Sequence, residues 1–158
     1  MESTNLLELL QKHPFLEGFQ PKHIEKLAEL GHELRFERDR VIFREGDESS
    51  FFYLIISGKV ALEVTALGRT LRVQTLGDGE ELGWSSVLAA EGKHFQARAL
   101  GTVKTIVFDG ARLREACEED CSLGFALLKR ILGVVSERLQ ATRIQLLDMY
   151  TPAGAKQP

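Results

Sequence analysis

Cysteine is scarce: two in 158 residues, Cys117 and Cys121 in "CEEDCS", are too few for a disulfide framework, and two thiols alone do not complete a zinc site. No apolar run approaches the ~18 residues of a membrane span, and the leading "MESTNLLELLQKHPF" has acids where a secretory leader needs a basic start. A cytoplasmic protein with no membrane contact is expected. Positive charge is also short, since 20 Lys and Arg against 23 Asp and Glu leave a net charge of -3, the wrong sign for a surface that neutralises a row of phosphates. The four histidines, His13, His23, His32 and His94, are scattered without a His-x-His pair, so the clustered ligands of a metal-dependent enzyme are missing. His13 and His23 read as surface residues of a helical region. No metal, no cofactor and no catalytic constellation is expected.

What is present suits one soluble domain with an added element: 44% apolar and 27% charged residues are ordinary values for a globular chain. "TNLLELLQK" places apolar residues at helical spacing until Pro14 stops the turn, and "PKHIEKLAELG" starts with Pro21 and ends on Gly31 as a C-cap. These predict two short N-terminal helices. From His32 to Asp109 the period falls from near 3.6 to 2. Five segments, "ELRFERDRVIF", "FFYLIISGKVALEVT", "RTLRVQTL", "HFQARAL" and "TVKTIVF", are separated by Gly, Asp and Ser punctuation, the pattern of a β-sandwich or barrel.

After Asp109, "ARLREACEE" predicts a short helix, and Asp120 or Ser122 is placed to cap a long one from about Leu123 to Tyr150. Along it Leu128, Leu132, Val135, Leu139, Thr142, Leu146 and Met149 are spaced 4, 3, 4, 3, 4, 3, a heptad seam with Thr142 as its polar position. Such a seam implies a partner helix, hence a homodimer. Ile131, Val134, Ala141 and Leu147 lie off that line and are expected to pack on the β domain.

The stretch "GEELGWSSVLAAEGKHFQARA", Gly79 to Ala99, carries the chemistry of interest. A short helical turn after Gly83 would present backbone N–H groups to an anion, with Ser85 and Ser86 adding hydroxyls. Trp84, the one tryptophan, reads as a pocket-filling aromatic because of the area it would otherwise leave wet.

"FREGDESSFFYLIISGKVALEV", "LGDGEELGWSSVL", "ARALGTVKTIVFDGARLREAC" and "SERLQATRIQLLDMY" together resemble the cyclic-nucleotide-binding domain of the cyclic-AMP receptor protein (Crp/Fnr-like) superfamily, over roughly Leu6 to Tyr150. The resemblance implies an α+β, mainly β fold: a jelly-roll β-barrel with two short N-terminal helices, a short cassette helix and a long C-terminal helix. It implies one domain over residues 1–150, with a dimerisation helix at about 122–150, and residues 151–158 as a flexible tail. The cassette of the family pairs a Gly with a Glu for the ribose and adds an Arg for the cyclic phosphate. Here the Gly matches Gly83, the next position is Trp84, and the Arg position falls at His94 counting from Gly83 or at Lys93 counting back from Ala99. Neither gives the planar two-pronged pairing of a guanidinium.

Arg98 is the nearest guanidinium, either a phosphate partner or a solvated surface residue. Thr142 matches the family's base-contacting Thr, and it equally fits a polar position that sets helix register. The resemblance places ligand contacts at Gly83, Trp84, Ser85, Ser86, Lys93, His94 and Thr142, with cAMP or cGMP as the implied ligand. Nothing resembling the winged helix-turn-helix of the family's transcription factors follows the long helix, so direct DNA binding is not expected. Two readings stand: a regulatory small-ligand sensor that signals through its long helix to a protein partner, or a ligand-free module kept for dimerisation or protein docking.

Overall fold

The computed structural model describes residues 2–48, 50–88 and 95–150. Two helices, α1 (Glu2–Lys12) and α2 (Pro21–Leu30), flank a single 3-10 turn at Pro14–Leu16. Strands follow as β1 (Gly31–Phe36), β2 (Val41–Phe43), β3 (Phe51–Ser57), β4 (Val60–Ala66), β5 (Arg69–Leu76), β6 (Glu81–Leu82), β7 (Gln96–Ala99) and β8 (Val103–Asp109). The chain then turns into α3 (Gly110–Glu119) and α4 (Cys121–Tyr150). The strands form two antiparallel four-stranded sheets, β1-β8-β3-β6 and β2-β7-β4-β5, packed as a jelly roll.

Two of the five segments read from the sequence each supply two strands, and the pieces go to opposite sheets. "ELRFERDRVIF" breaks at Asp39, whose φ of 69° turns the chain between β1 and β2. "FFYLIISGKVALEVT" breaks at Gly58 (φ +107°), where a Cβ would sit 2.4 Å from the Thr102 carbonyl, so only glycine lets the chain cross there. The two-residue β6 is too short to carry a periodic signal.

The run "FFYLII" lacks polar alternation because both faces of its sheet are covered. Phe52 and Leu54 of β3, with Ile106 and Phe108 of β8, join Leu10, Leu27, Leu113 and Leu127 in a layer under the helices. Tyr53 and Ile55 point the other way, into the barrel with Val60, Leu62, Leu76 and Val103. Each of these side chains contributes roughly 1.5–3 kcal/mol by burial, and truncating the fully buried Phe52 to Ala is expected to cost about 3–5 kcal/mol.

His13 and His23 are not surface residues. They are 5% and 2% exposed because each joins distant elements. His13 Nε2 donates to the Ile55 carbonyl at 2.8 Å while its Nδ1 accepts from Phe15 N at 3.2 Å, and His23 Nε2 lies 2.9 Å from Ser122 Oγ.

Helix α4 begins where Asp120 Oδ1 accepts from Ser122 N and Leu123 N at 3.0 and 3.4 Å. Its first turns are held down by the buried Leu123, Leu127 and Ile131. Gly124 permits a close approach to α3, since a Cβ would lie 3.0 Å from the Cys117 carbonyl. Arg130 Nη1 donates to the Pro14 and Phe15 carbonyls at 3.1 and 2.8 Å, which fastens the helix to the 3-10 turn. At 1.5 Å per residue α4 is about 45 Å long, and its buried residues end at Ile131. Ala141 and Leu147, expected against the β domain, are therefore exposed, Leu147 at 67%. Val134 does reach the helical core layer.

Candidate functional site

Gly83 has φ +80° and caps a three-residue 3-10 turn, Trp84–Ser86. The left-handed backbone that glycine tolerates reverses the chain out of β6 and aims Trp84 and Ser85 into a cavity of about 320 Å³. Ser86 faces the opposite way. It is 0% exposed, its Oγ donates to the Gly83 carbonyl at 2.9 Å, and its own carbonyl accepts from Arg114 Nη1. Gly110 lies directly behind, where a Cβ would come within 2.7 Å of the Ser86 carbonyl. The turn is thus pinned to α3, and Ser86 is not among the residues that line the cavity.

The wall opposite the turn belongs to α4, through Val135, Arg138, Leu139 and Thr142. Thr142 Oγ1 donates to the Arg138 carbonyl at 2.9 Å. Phe43, Leu62, Leu82 and Phe95 make the sides apolar, and Gln74 of β5 adds one amide. The structure therefore brings Gly83, Trp84, Ser85 and Thr142 together, although β7, β8 and α3 separate the turn from the helix in sequence. Lys93 and His94 lie outside the described residues.

Arg98 is committed elsewhere. Its Nε and Nη2 donate to the two oxygens of Glu63 at 3.1 and 2.9 Å, and its Nη1 donates to Asp39 at 3.0 Å. This fork ties β7 to β4 and to the turn before β2, and Arg98 is not among the cavity's lining residues. The Arg98 hydrogen bonds, with a smaller contribution from Gln96, hold the Glu63 carboxyl below its ordinary value against the opposing effect of burial.

The carboxylate beside the turn was not singled out in the sequence. Glu81, two residues before Gly83, is 4% exposed and accepts a charge-assisted hydrogen bond from Arg138 Nη2, which also reaches the Glu81 carbonyl at 3.2 Å. Burial pushes this carboxyl up to about 7, with Glu80 and Glu137 adding to the rise and Arg138 opposing it. The pair connects the strand that leads into the Gly83 turn with the helix that closes the cavity. A signal was available, namely a carboxylate in "GEELGW" and an arginine four residues before Thr142, but nothing in the spacing says that the two meet. On the far side of Arg138 a wider groove of about 900 Å³ opens between the 3-10 turn and α4. Its rim mixes Glu17, Glu80 and Glu137 with Lys129 and Arg130.

Both thiols are free, Cys117 half-buried and Cys121 exposed. Burial, then Asp120 and Glu118, push the Cys117 thiol up, which keeps it protonated and a poor nucleophile. Among the described residues no group of three or more His, Cys, Asp or Glu is placed to hold a metal ion, and no helix is long and apolar enough to cross a membrane.

Residues 33–120 match the family described as cyclic nucleotide-binding domain. The chain is 26% identical over 143 residues to the CRP-like cAMP-activated global transcriptional regulator of Mycobacterium tuberculosis, covering 90% of this chain and 62% of that protein. It spans about three fifths of that relative's length. Among solved structures, a cyclic nucleotide-binding domain from Methylobacillus flagellatus KT superposes with a TM-score of 0.79 at 19% identity, over 93% of this chain and 83% of that one. The Thermus thermophilus catabolite activator protein gives 0.72 at 21% identity, over 87% and 63%. At these identities the two structures share the fold.

Proposed function

Since this chain belongs to the cyclic nucleotide-binding domain family, we propose that it is a non-catalytic sensing module whose cavity takes a small ligand and whose long helix carries the response to a partner. The observation that carries this reading is the shared wall: the Gly83 turn and α4 line one cavity of about 320 Å³, within the usual range of ligand pockets of about 300–1,000 Å³. A molecule seated there touches both elements, and differential contact with two arrangements of a helix is what couples a pocket to a readout.

The response would pass through a homodimer. Leu128, Leu132, Leu139, Leu146 and Met149 are between 46% and 81% exposed, an apolar row at heptad positions, interrupted by the half-buried Val135 and by Thr142, that suits the same row of a second copy. Because Leu139 and Thr142 belong both to the seam and to the cavity wall, occupancy and helix pairing share residues.

The test is titration with cyclic AMP and cyclic GMP, read by Trp84 fluorescence and thermal shift together. A saturable change in both supports the sensor, and hydrogen exchange along Leu139 to Leu146 should fall with it. Silence to millimolar ligand, with a dimer still present, favours the dimerisation or docking module instead.

A further inference from the structure

Resting on the reading of the cavity as a ligand site, we propose that Arg114 of α3 is a positioning residue for it, holding the Gly83 turn from behind in the shape that a ligand meets, without touching the ligand. The turn is a three-residue 3-10 segment. The N–H groups of Ser86, Val87 and Leu88 donate to the carbonyls of Gly83, Trp84 and Ser85 at 3.1, 3.1 and 3.2 Å, bonds of poorer geometry than those of an α-helix. A segment this short does not keep its shape alone, and what it packs on decides it.

Behind the turn stands the start of α3. Asp109 Oδ1 caps this helix by accepting from Ala111 N and Arg112 N at 2.9 and 3.2 Å, and Gly110 N donates to the carbonyl of Ser50, the residue before β3, at 2.8 Å. The base from which Arg114 reaches is therefore fixed to the β body. Its Nη1 donates to the Ser86 carbonyl. Ser86 is 0% exposed, so water does not replace that bond when the arginine is removed.

Gly110 and Arg114, four apart, share one face of α3. They act on the same residue in complementary ways: a Cβ at Gly110 would lie 2.7 Å from the Ser86 carbonyl and 2.8 Å from its Cβ, so the glycine lets the turn come close and the arginine draws it in. Ser86 faces away from the cavity while Trp84 and Ser85 line it. Anchorage from the rear leaves the cavity side of the turn to the ligand, and a wall already in place costs a ligand less to order. Loss of the anchor should change how Trp84 is presented before it changes whether the chain folds.

The experiment compares the full chain with Arg114→Met, Arg114→Lys and, as a control at an exposed arginine of the same helix, Arg112→Met, each checked for cooperative unfolding in urea. Trp84 is the one tryptophan, so acrylamide quenching of its emission reads the turn, and amide exchange at Val87 and Leu88 reads its 3-10 bonds. In Arg114→Met the quenching constant should rise about twofold and those two amides should exchange about tenfold faster, while Val107 and Phe108 of β8 keep the parent's rates. Arg114→Lys, which keeps a donor, should recover part of both changes, and Arg112→Met should match the parent. Quenching and exchange unchanged in Arg114→Met overturn the proposal, and so does exchange that quickens equally in β8, since Arg114 would then be a general support of the fold. Titration with cyclic AMP and cyclic GMP separates this role from the ligand reading. Where the parent binds either one, Arg114→Met should weaken it about tenfold, and equal affinity overturns the positioning role. A parent silent to both at millimolar concentration counts against the ligand reading, whereas quenching and exchange still decide whether Arg114 holds the turn.

Discussion

Glu63 and Glu81 each have a side chain at most 6% exposed and each faces one arginine, yet they titrate in opposite directions. Arg98 meets Glu63 with two nitrogens on two oxygens, and Gln96 Nε2 adds a third hydrogen bond at 3.2 Å. Those contacts outweigh desolvation and hold the carboxyl low. Arg138 meets Glu81 with one nitrogen, and Glu80 and Glu137 stand near. There desolvation outweighs the partner, and the carboxyl rises to about 7. The lesson is that an arginine beside a buried glutamate does not set the sign. The balance does, between desolvation, which dominates at Glu81, and hydrogen bonds to the ionised form, which dominate at Glu63. The two pairs also join different parts of the molecule. Arg98 and Glu63 link strands of one sheet, while Arg138 and Glu81 link the cassette strand to the helix that would report occupancy.

The largest effect expected from this contrast is on removing the arginines. Arg98→Met leaves Glu63 buried without its fork and should cost about 3–5 kcal/mol. Arg138→Met at pH 6 should cost about 1–3 kcal/mol, the range for two hydrogen bonds, because Glu81 takes up a proton instead of standing as a bare charge. Urea denaturation at pH 6 measures both, and equal losses would break the comparison.

Next in size is the pH dependence. Glu81 has a folded value of about 7 above an ordinary 4.5, so the folded state holds the proton over that window and the site's contribution to stability falls as pH rises through it. Glu81→Gln should remove a slope worth up to about 3 kcal/mol between those limits. Glu63 is lowered, so its contribution is present above the ordinary carboxylate value and is lost as pH falls through the lowered one. Glu63→Gln should flatten the acid limb alone. Midpoints measured from about pH 3 to 8 for both variants decide this, and a Glu81→Gln profile parallel to the parent would show that Arg138 holds Glu81 ionised after all.

The smallest effect on folding, and the largest on assembly, is expected at the seam. Leu132 is 68% exposed, so Leu132→Asp should change single-chain stability by no more than about 0.5 kcal/mol while shifting a dimer toward monomer in light scattering. A dimer of unchanged mass would place the contact elsewhere. Val135, half-buried against the core layer, should do the reverse on truncation to Ala, with stability falling more than association.

Much of the architecture was legible in the residues because it rests on local periodicity. The two N-terminal helices, the β segments, the cap at Asp120 and the heptad row of α4 each follow from spacing that a side chain carries wherever the chain goes. Gly83 was legible as a turn for the same reason. The barrel's layout was less so: β1 and β2, or β3 and β4, are contiguous in sequence and lie in different sheets, and only a positive φ at Asp39 and at Gly58 marks the crossing. Polarity alone suggests a surface place for His13 and His23, and their bonds to Ile55 and Ser122, 42 and 99 residues away, put them inside.

By itself the sequence determined the helices, the longer β segments, which face of α4 is apolar and where the Gly83 turn falls, all properties set by neighbours within a few residues. Tertiary structure alone decided which arginine meets which glutamate. Arg98 could have faced the cavity and instead faces Glu63, 35 residues away, while Arg138 meets Glu81 across 57. Partner choice at that distance is fixed by how sheets and helix pack.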